Sequence, residues 1–388
     1  MRVAILHDWL FGMRGGERLL EELCLLFPDA QIFTLFCRPQ ALSPVLRSRK
    51  ITASRWSALP GIEQIYRHLL PLYPLIVKDL GQRLAAEHQR EPFQLVISVS
   101  HCAVKNTPLP AGLTHLCYCL TPARYLWDQF EAYFSGRLIK PLVQVLRPFL
   151  QAWDRRGAAK VDKFFVISEF VGARVERVYG RDSVVVYPPV NTSWIGAGER
   201  TEQSSRREGF LVVNALVPYK RVELIIEAFK ELPYSLTIVG NGPEAARLKR
   251  LATPNINFIA HVNDEQLADL YRSSRALIFA AEEDFGMTPI EMQAAGGPVI
   301  AFGRGGSLET VVTTSGAETG LLYAHNTTQE IGSAVISFID REPRFTVRNC
   351  ISNAAKFSVL NFRESFIRAL EEAGFGNSLN VEKKRTAV

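Results

Sequence analysis

A chain of 388 residues exceeds one typical domain, and 47% hydrophobic against 22% charged residues is the composition of a globular protein that needs no disulfides to build its cores. No apolar run reaches the roughly 20 residues that cross a bilayer, and Asp8 breaks the first apolar run too early for a signal peptide, so a cytoplasmic location is expected. The net charge of +6 is lopsided: residues 1–190 hold 24 Lys and Arg against 16 Asp and Glu, and the remainder 21 against 23.

The basic first half suits a phosphorylated substrate or an anionic membrane surface. Basic runs interleaved with aromatics, the mark of an RNA-binding module, are absent, so nucleic acid is not an expected partner. The six cysteines show no CxxC pairing, which points away from zinc and from a disulfide framework. Cys117 and Cys119 lie two apart in a strand-like run and are read as core packing.

In chain order, VAIL reads as a strand, RGGER as a loop and LLEELCLLF as a helix. QIFTLF, FQLVISVS, THLCYCL, KFFVIS and SVVVY are further strands, separated by segments of helical period such as LIKPLVQVLRPFLQAW. After YPPVN, the polar stretch WIGAGERTEQSSRREG has no apolar period and reads as a linker. A second alternating series follows, from FLVVNAL through SLTIVG, INFIA and ALIFA to PVIAF, and helices then dominate from about Thr327 to Glu372. Alternation of this kind predicts an α/β protein of two doubly wound parallel sheets in series, with ligands at the carboxyl ends of the strands. The expected divisions are a first domain at 1–190, a linker at 191–208, a second domain at 209–356, a terminal helix at 357–373 and a disordered tail at 374–388.

The densest chemistry lies in ALIFAAEEDFGMTPIEMQAAGGPVIAFGRGG. A buried-type strand ends at Ala280, an acidic loop follows, and a helix is expected to open at Thr288 and Pro289. Free amides at a helix start favour an anion such as a diphosphate, and Gly286 allows close approach. Glu283 and Glu291 are placed to accept hydrogen bonds from the hydroxyls of a sugar and a ribose. Each has an ordinary alternative: Glu283 as a solvated loop acid, Glu291 as partner of Thr288 in a capping box. A divalent metal on Glu282, Glu283 and Asp284 is disfavoured, because there is no DxD run and Lys220 already supplies positive charge.

The run EDFGMTPIEMQAAGGPVIA resembles the paired-glutamate signature of retaining glycosyltransferases of family 4, which have the GT-B fold. The resemblance extends from HDWLFGMRGGERLLEELCLLFPDA through YCLTPARYLWD and VVVYPPV to LVPYKRVELIIEAF and GRGGSLETV. It implies two Rossmann-like domains facing a central cleft, the first binding acceptor and the second donor, with the C-terminal helix packed back on the first. It further implies a metal-independent hexosyltransferase with no cofactor beyond its nucleotide-sugar donor. The nearest subgroup is that of mannosyltransferases of O-antigen and capsule-type polysaccharide assembly, hence GDP-mannose as donor and a lipid-linked or oligosaccharide acceptor. By the same resemblance Glu283 contacts the donor sugar, Glu291 the ribose, and the backbone of Phe285, Gly286, Met287 and Thr288 the phosphates. Lys220 neutralises the diphosphate, and Gly15 and Gly16 face the phosphates and acceptor. Taken alone, Lys220 would be a solvated helix-start charge and the glycine pair a turn.

Two positions depart from the subgroup: Ala215 stands where an arginine is usual, and Leu120 where a histidine faces the sugar. Arg221 or Arg304 are candidates to restore the charge, and His101 is a candidate catalytic partner at a strand end, with a core or capping role as its alternative. The departures leave open a second class of function, a catalytically degenerate member that binds sugar nucleotides or acts as a scaffolding subunit of a polysaccharide assembly complex. A sugar-nucleotide epimerase is disfavoured by the motif order. The basic amphipathic stretches IEQIYRHLLPLYPLIVKDLGQRL and GRLIKPLVQVLRPFLQAWDRR suit either a peripheral position on an anionic membrane or core helices with solvated faces.

Overall fold

The computed structural model describes residues 1–128, 130, 140–195 and 207–375. The chain forms two compact units, one of Met1–Pro189 with the chain from Phe362 onward, the other of Val190–Asn361.

The first unit holds a seven-stranded sheet of β1 (Val3–Leu10), β2 (Gln31–Cys37), β3 (Ile51–Ala53), β4 (Leu95–Ser100), β5 (His115–Cys119), β6 (Lys163–Val166) and β7 (Ser183–Val185). Its order is β3-β2-β1-β4-β5-β6-β7, and every pairing is parallel. Parallel neighbours require crossovers, supplied among the described residues by α1 (Gly15–Leu26), α2 (Tyr73–Arg90), α3 (Lys140–Ala158) and α4 (Glu169–Tyr179). The central strands are buried on both faces, which is why they read as unbroken apolar runs. β1 outruns the predicted VAIL: His7 still pairs with Thr34 and Val99, and the strand continues past Asp8 to Leu10. Asp8 is tolerated there because its buried carboxylate is saturated by backbone amides.

The second unit holds β8 (Phe210–Val213), β9 (Leu236–Val239), β10 (Ile256–Ile259), β11 (Ala276–Phe279), β12 (Val299–Phe302) and β13 (Gly320–Tyr323), in the order β10-β9-β8-β11-β12-β13, again all parallel. Its helices include α5 (Val222–Lys230), α6 (Ala245–Leu251), α7 (Asp264–Ser273), α8 (Met287–Ala294), α9 (Thr328–Arg341) and α10 (Val347–Ala355). Phe210 of β8 meets Phe229 of α5 at 5.4 Å and Phe338 of α9 at 5.9 Å, which fastens helices of one face onto the sheet. The last helix, α11 (Val359–Leu370), buries Phe366 in the first unit, 6.2 Å from Tyr118 and 5.7 Å from Phe165.

β3 and β13 were not anticipated; each is an edge strand of three or four residues, too short to show a period. After β12 the chain makes a single helical turn, Ser307–Thr310. Of the stretch expected as a linker, Trp194 packs on Tyr271 at 6.3 Å and Arg272 donates to the Ile195 carbonyl at 2.6 Å, while 196–206 lie outside the described residues. So do 376–388 of the expected tail. Among the described residues no helix is long and apolar enough to cross a membrane.

Strand order reverses between β1 and β4 in the first unit and between β8 and β11 in the second. Loops leaving the carboxyl ends of such a strand pair diverge to opposite sides and open a crevice, the usual place for a ligand in this architecture.

Candidate functional site

In the second unit the loop after β8 carries Lys220 and the loop after β11 carries Glu283, so the two residues flank the reversal from opposite sides. Lys220 ends a 3-10 turn, Pro218–Lys220, and Arg221 then adopts φ 54°, the one left-handed non-glycine residue described. That conformation, which costs about 1–2 kcal/mol in an L-residue, swings the chain into α5 while holding Lys220 inward. The Lys220 Nζ forms a salt bridge with Glu283 Oε1, with side-chain exposures of 10% and 21%. The ammonium also lies 5.8 Å from the centre of the Phe279 ring. Arg221 instead points to solvent, 3.7 Å from Glu223.

The acidic loop is fixed from two sides. Asn326 donates to the Ala280 carbonyl at 2.8 Å, and Gly306 N–H donates to the Glu283 carbonyl at 2.8 Å. The glycines of the 303–306 loop are obligatory for that approach: a Cβ on Gly305 would stand 2.3 Å from the Glu283 carbonyl oxygen, and one on Gly306 2.2 Å from that of Phe285.

α8 starts at Met287, one residue earlier than predicted, with Gly286 at φ 87° as its cap and no side chain bonded to the cap position. Pro289 is therefore in the third helical position rather than the first. Met287 is 37% exposed, so packed side chains do not seal this helix start. The capping box anticipated between Thr288 and Glu291 is not the one formed. Glu291 instead accepts from Tyr271 Oη of α7 at 2.7 Å, and burial raises its carboxyl above the usual range although that hydrogen bond opposes the shift. Phe285 is buried, edge-on to Phe357 at 5.5 Å. A buried network beneath α8 locks its position, with Gln293 donating to the Thr310 carbonyl at 2.8 Å and Asn353 donating to Gln293 at 2.7 Å.

Sequence reasoning missed two buried polar groups of this unit, Asn214 just past β8 and Ser307 after the glycine loop. Asn214 Nδ2 and Ser307 Oγ have no hydrogen-bond partner among the described residues. A buried donor without a partner costs about 1–3 kcal/mol; neither residue stands out in the sequence. Among the described residues no group of three or more His, Cys, Asp and Glu could hold a metal ion.

In the first unit, α1 opens at Gly15, and its start is tied by Arg14 N–H donating to Glu17 Oε2 at 3.1 Å. A Cβ on Gly16 would lie 3.1 Å from Leu120 Cδ1 and 3.3 Å from His7 Nε2, so this glycine, Leu120 and His7 share one spot. His7 Nδ1 is 2.9 Å from the Trp9 carbonyl; a carbonyl only accepts, so Nδ1 carries a proton, and the buried Nε2 has no partner among the described residues. Asp8, also missed from sequence, accepts from the amides of His101, Cys102, Ala103 and Val104 at 2.7–2.9 Å. It thereby shapes the loop after β4. His101 stands edge-on to Trp9 at 4.4 Å, and burial lowers its ring pKa even though Asp8 pulls the other way. The ring is held neutral at physiological pH.

Residues 199–357 match the family model described as glycosyl transferases group 1, which supports a glycosyltransferase. The D-inositol 3-phosphate glycosyltransferase of Mycobacteroides abscessus is 26% identical over 228 residues, 55% of this chain and 50% of that protein. The D-rhamnosyltransferase WbpZ of Pseudomonas aeruginosa is 29% identical over 178 residues, 41% of this chain and 45% of that protein. The chain thus spans about half the length of the curated relatives it matches. The crystal structure of Anabaena Alr3699/HepE in complex with UDP covers 96% of this chain and 100% of its own at 16% identity, with a TM-score of 0.67. Together with the two parallel sheets, that likeness establishes the GT-B fold.

Proposed function

We propose that the chain is a retaining, metal-independent glycosyltransferase of the family 4 type that moves a hexose from a nucleotide sugar to a lipid-linked or oligosaccharide acceptor in surface-polysaccharide assembly. The observation that carries the reading is the Lys220–Glu283 salt bridge beside the open start of α8. Without ligand the two charges satisfy each other; a sugar diphosphate offers a phosphate to the ammonium and hydroxyls to the carboxylate, so both partners are replaced in kind. Mannose from GDP-mannose is the donor that the subgroup resemblance favours, while UDP in the Anabaena structure supports a nucleoside diphosphate in general.

In this mechanism the bond between the anomeric carbon and the diphosphate oxygen breaks, and the negative charge grows on the departing diphosphate. Lys220 and the first amides of α8, at Met287 and Thr288, stabilise that charge, with the backbone of Phe285 and Gly286 alongside. The acceptor hydroxyl bonds to the anomeric carbon on the face the diphosphate leaves, and its proton passes to a departing phosphate oxygen. Glu283 orients the sugar, Glu291 the ribose, and neutral His101 donates a hydrogen bond to the sugar or acceptor. Gly15 and Gly16 leave room for phosphate or acceptor. The acceptor is presented at the inner face of the cytoplasmic membrane, where the protein works peripherally.

The test is Glu283→Ala in a transfer assay with nucleotide sugar and lipid-linked acceptor. A fall in rate of about a hundredfold or more is expected, with an unchanged circular dichroism spectrum. Unaltered transfer would remove the site. Wild-type protein that binds donor yet never turns over, and gains activity on Leu120→His, would instead support the non-transferring reading.

A further inference from the structure

Helix α3 has two faces that do different things. Its inner face grips the loop that follows Leu120: Arg147 donates to the Leu126 and Trp127 carbonyls at 2.8 and 3.1 Å, Gln151 donates to Leu126 at 2.8 Å, and Asp154 accepts from Trp127 Nε1 at 2.9 Å. Its outer face carries Leu142, Val145 and Phe149, 53%, 69% and 72% exposed. The spacing of three and four residues puts them in one stripe along the helix. α3 packs on the turn Tyr66–Leu72, whose neighbourhood exposes Ile65, Leu72 and Leu75. A folded chain normally turns such side chains inward, and an apolar stripe of this size on a described, ordered helix marks a contact surface.

The charges around the stripe say what the contact is. On α3 Arg156 is exposed and Lys140 half-buried, Arg147 and Arg155 being engaged by the Leu126, Trp127 and Val178 carbonyls, and the one acid of the helix, Asp154, is buried on Lys105. Arg67 and Lys78 are exposed on the adjoining segment, whose acids are already engaged, Glu63 by Arg38 and Asp79 by Arg55 and Arg83. A second copy of this chain would set one basic rim against another across a two-fold contact. An anionic bilayer accepts both features at once, the apolar side chains into the acyl boundary and the cations among the headgroups.

We propose that the outer face of α3, with Ile65, Leu72 and Leu75, is a docking surface for an anionic lipid bilayer. Docking there lays the membrane against the helix whose opposite side fixes the 121–128 loop, so the surface and the loop next to Leu120 are held by one rigid element. The inference deepens the proposed function, which draws its acceptor from a membrane. Its test uses no nucleotide sugar, so the two fail separately.

The experiment is flotation of the full chain with vesicles containing about 30% anionic phospholipid, compared with neutral vesicles. Wild-type protein is expected to float with the anionic vesicles only, and high salt to release it. The double variant Val145→Glu, Phe149→Glu should lose binding about tenfold or more while melting as the wild type does, because both positions are exposed. Arg67→Glu with Arg156→Glu should weaken binding and blunt its salt dependence. The proposal is overturned if wild type does not float, if neutral vesicles serve equally, or if the Val145/Phe149 variant floats like wild type. Sedimentation showing a dimer that the same variant splits, with no vesicle binding, would also overturn it.

Discussion

The two units repeat one architecture and put its reversal point to different uses. In the first, the carboxylate nearest the reversal, Asp8, is consumed by four backbone amides, and burial lowers the ring pKa of His101 beside it. In the second, the corresponding carboxylate, Glu283, is paired with the single side chain of Lys220, beside a helix start open to solvent. One unit uses its charge to build a loop, and the other pairs its charge with one side chain. Under the proposed function the fixed loop is suited to an acceptor, and the ion pair to a ligand that brings its own phosphates.

The sharpest way to break this contrast is Asp8→Ala, which strands four backbone amides, three of them buried. A loss of about 3–5 kcal/mol in unfolding free energy is expected, read by denaturant titration, with tryptophans of the first unit reporting. A loss below about 1 kcal/mol would mean that the carboxylate is not structural.

Next in size is the pH response of the first unit. Burial pushes the His115 ring down from 6.5 to about 4, and lowers His101 as well. Between those pH values the unfolded chain binds more protons than the folded one, so stability is full above about pH 6.5 and falls as pH drops toward 4, by about 3 kcal/mol from His115. His115→Gln should flatten that slope in thermal melts taken across the window. The smallest effect is that of Tyr271→Phe, which removes the hydroxyl held by Glu291. It should cost about 1 kcal/mol and shift nucleotide-sugar affinity by a few fold, measured by calorimetry.

The alternation of strands and helices, and hence the two parallel sheets, was legible because each central strand is buried on both faces and reads as an apolar run. What escaped were contacts between residues far apart in the chain. Asp8 reads as a polar break in an apolar run because the amides it serves lie 93–96 residues away. Lys220 and Glu283, 63 residues apart, could be linked only through the family resemblance, and local spacing even misled at Glu291. There the Thr288–Glu291 pattern fits a capping box, but an upstream Gly286 able to take φ 87° starts the helix early and leaves the carboxylate to Tyr271. The edge strands β3 and β13 are too short for any period to register.

The central claim, that Lys220 and Glu283 hold a sugar diphosphate, is tested most directly by calorimetric titration of a panel of GDP and UDP sugars onto wild type and Lys220→Met. At least one sugar nucleotide should bind the wild type, and the variant should bind it about 10–100-fold more weakly without losing its fold. Binding that is indifferent to Lys220, or no binding by any member of the panel, would contradict the account.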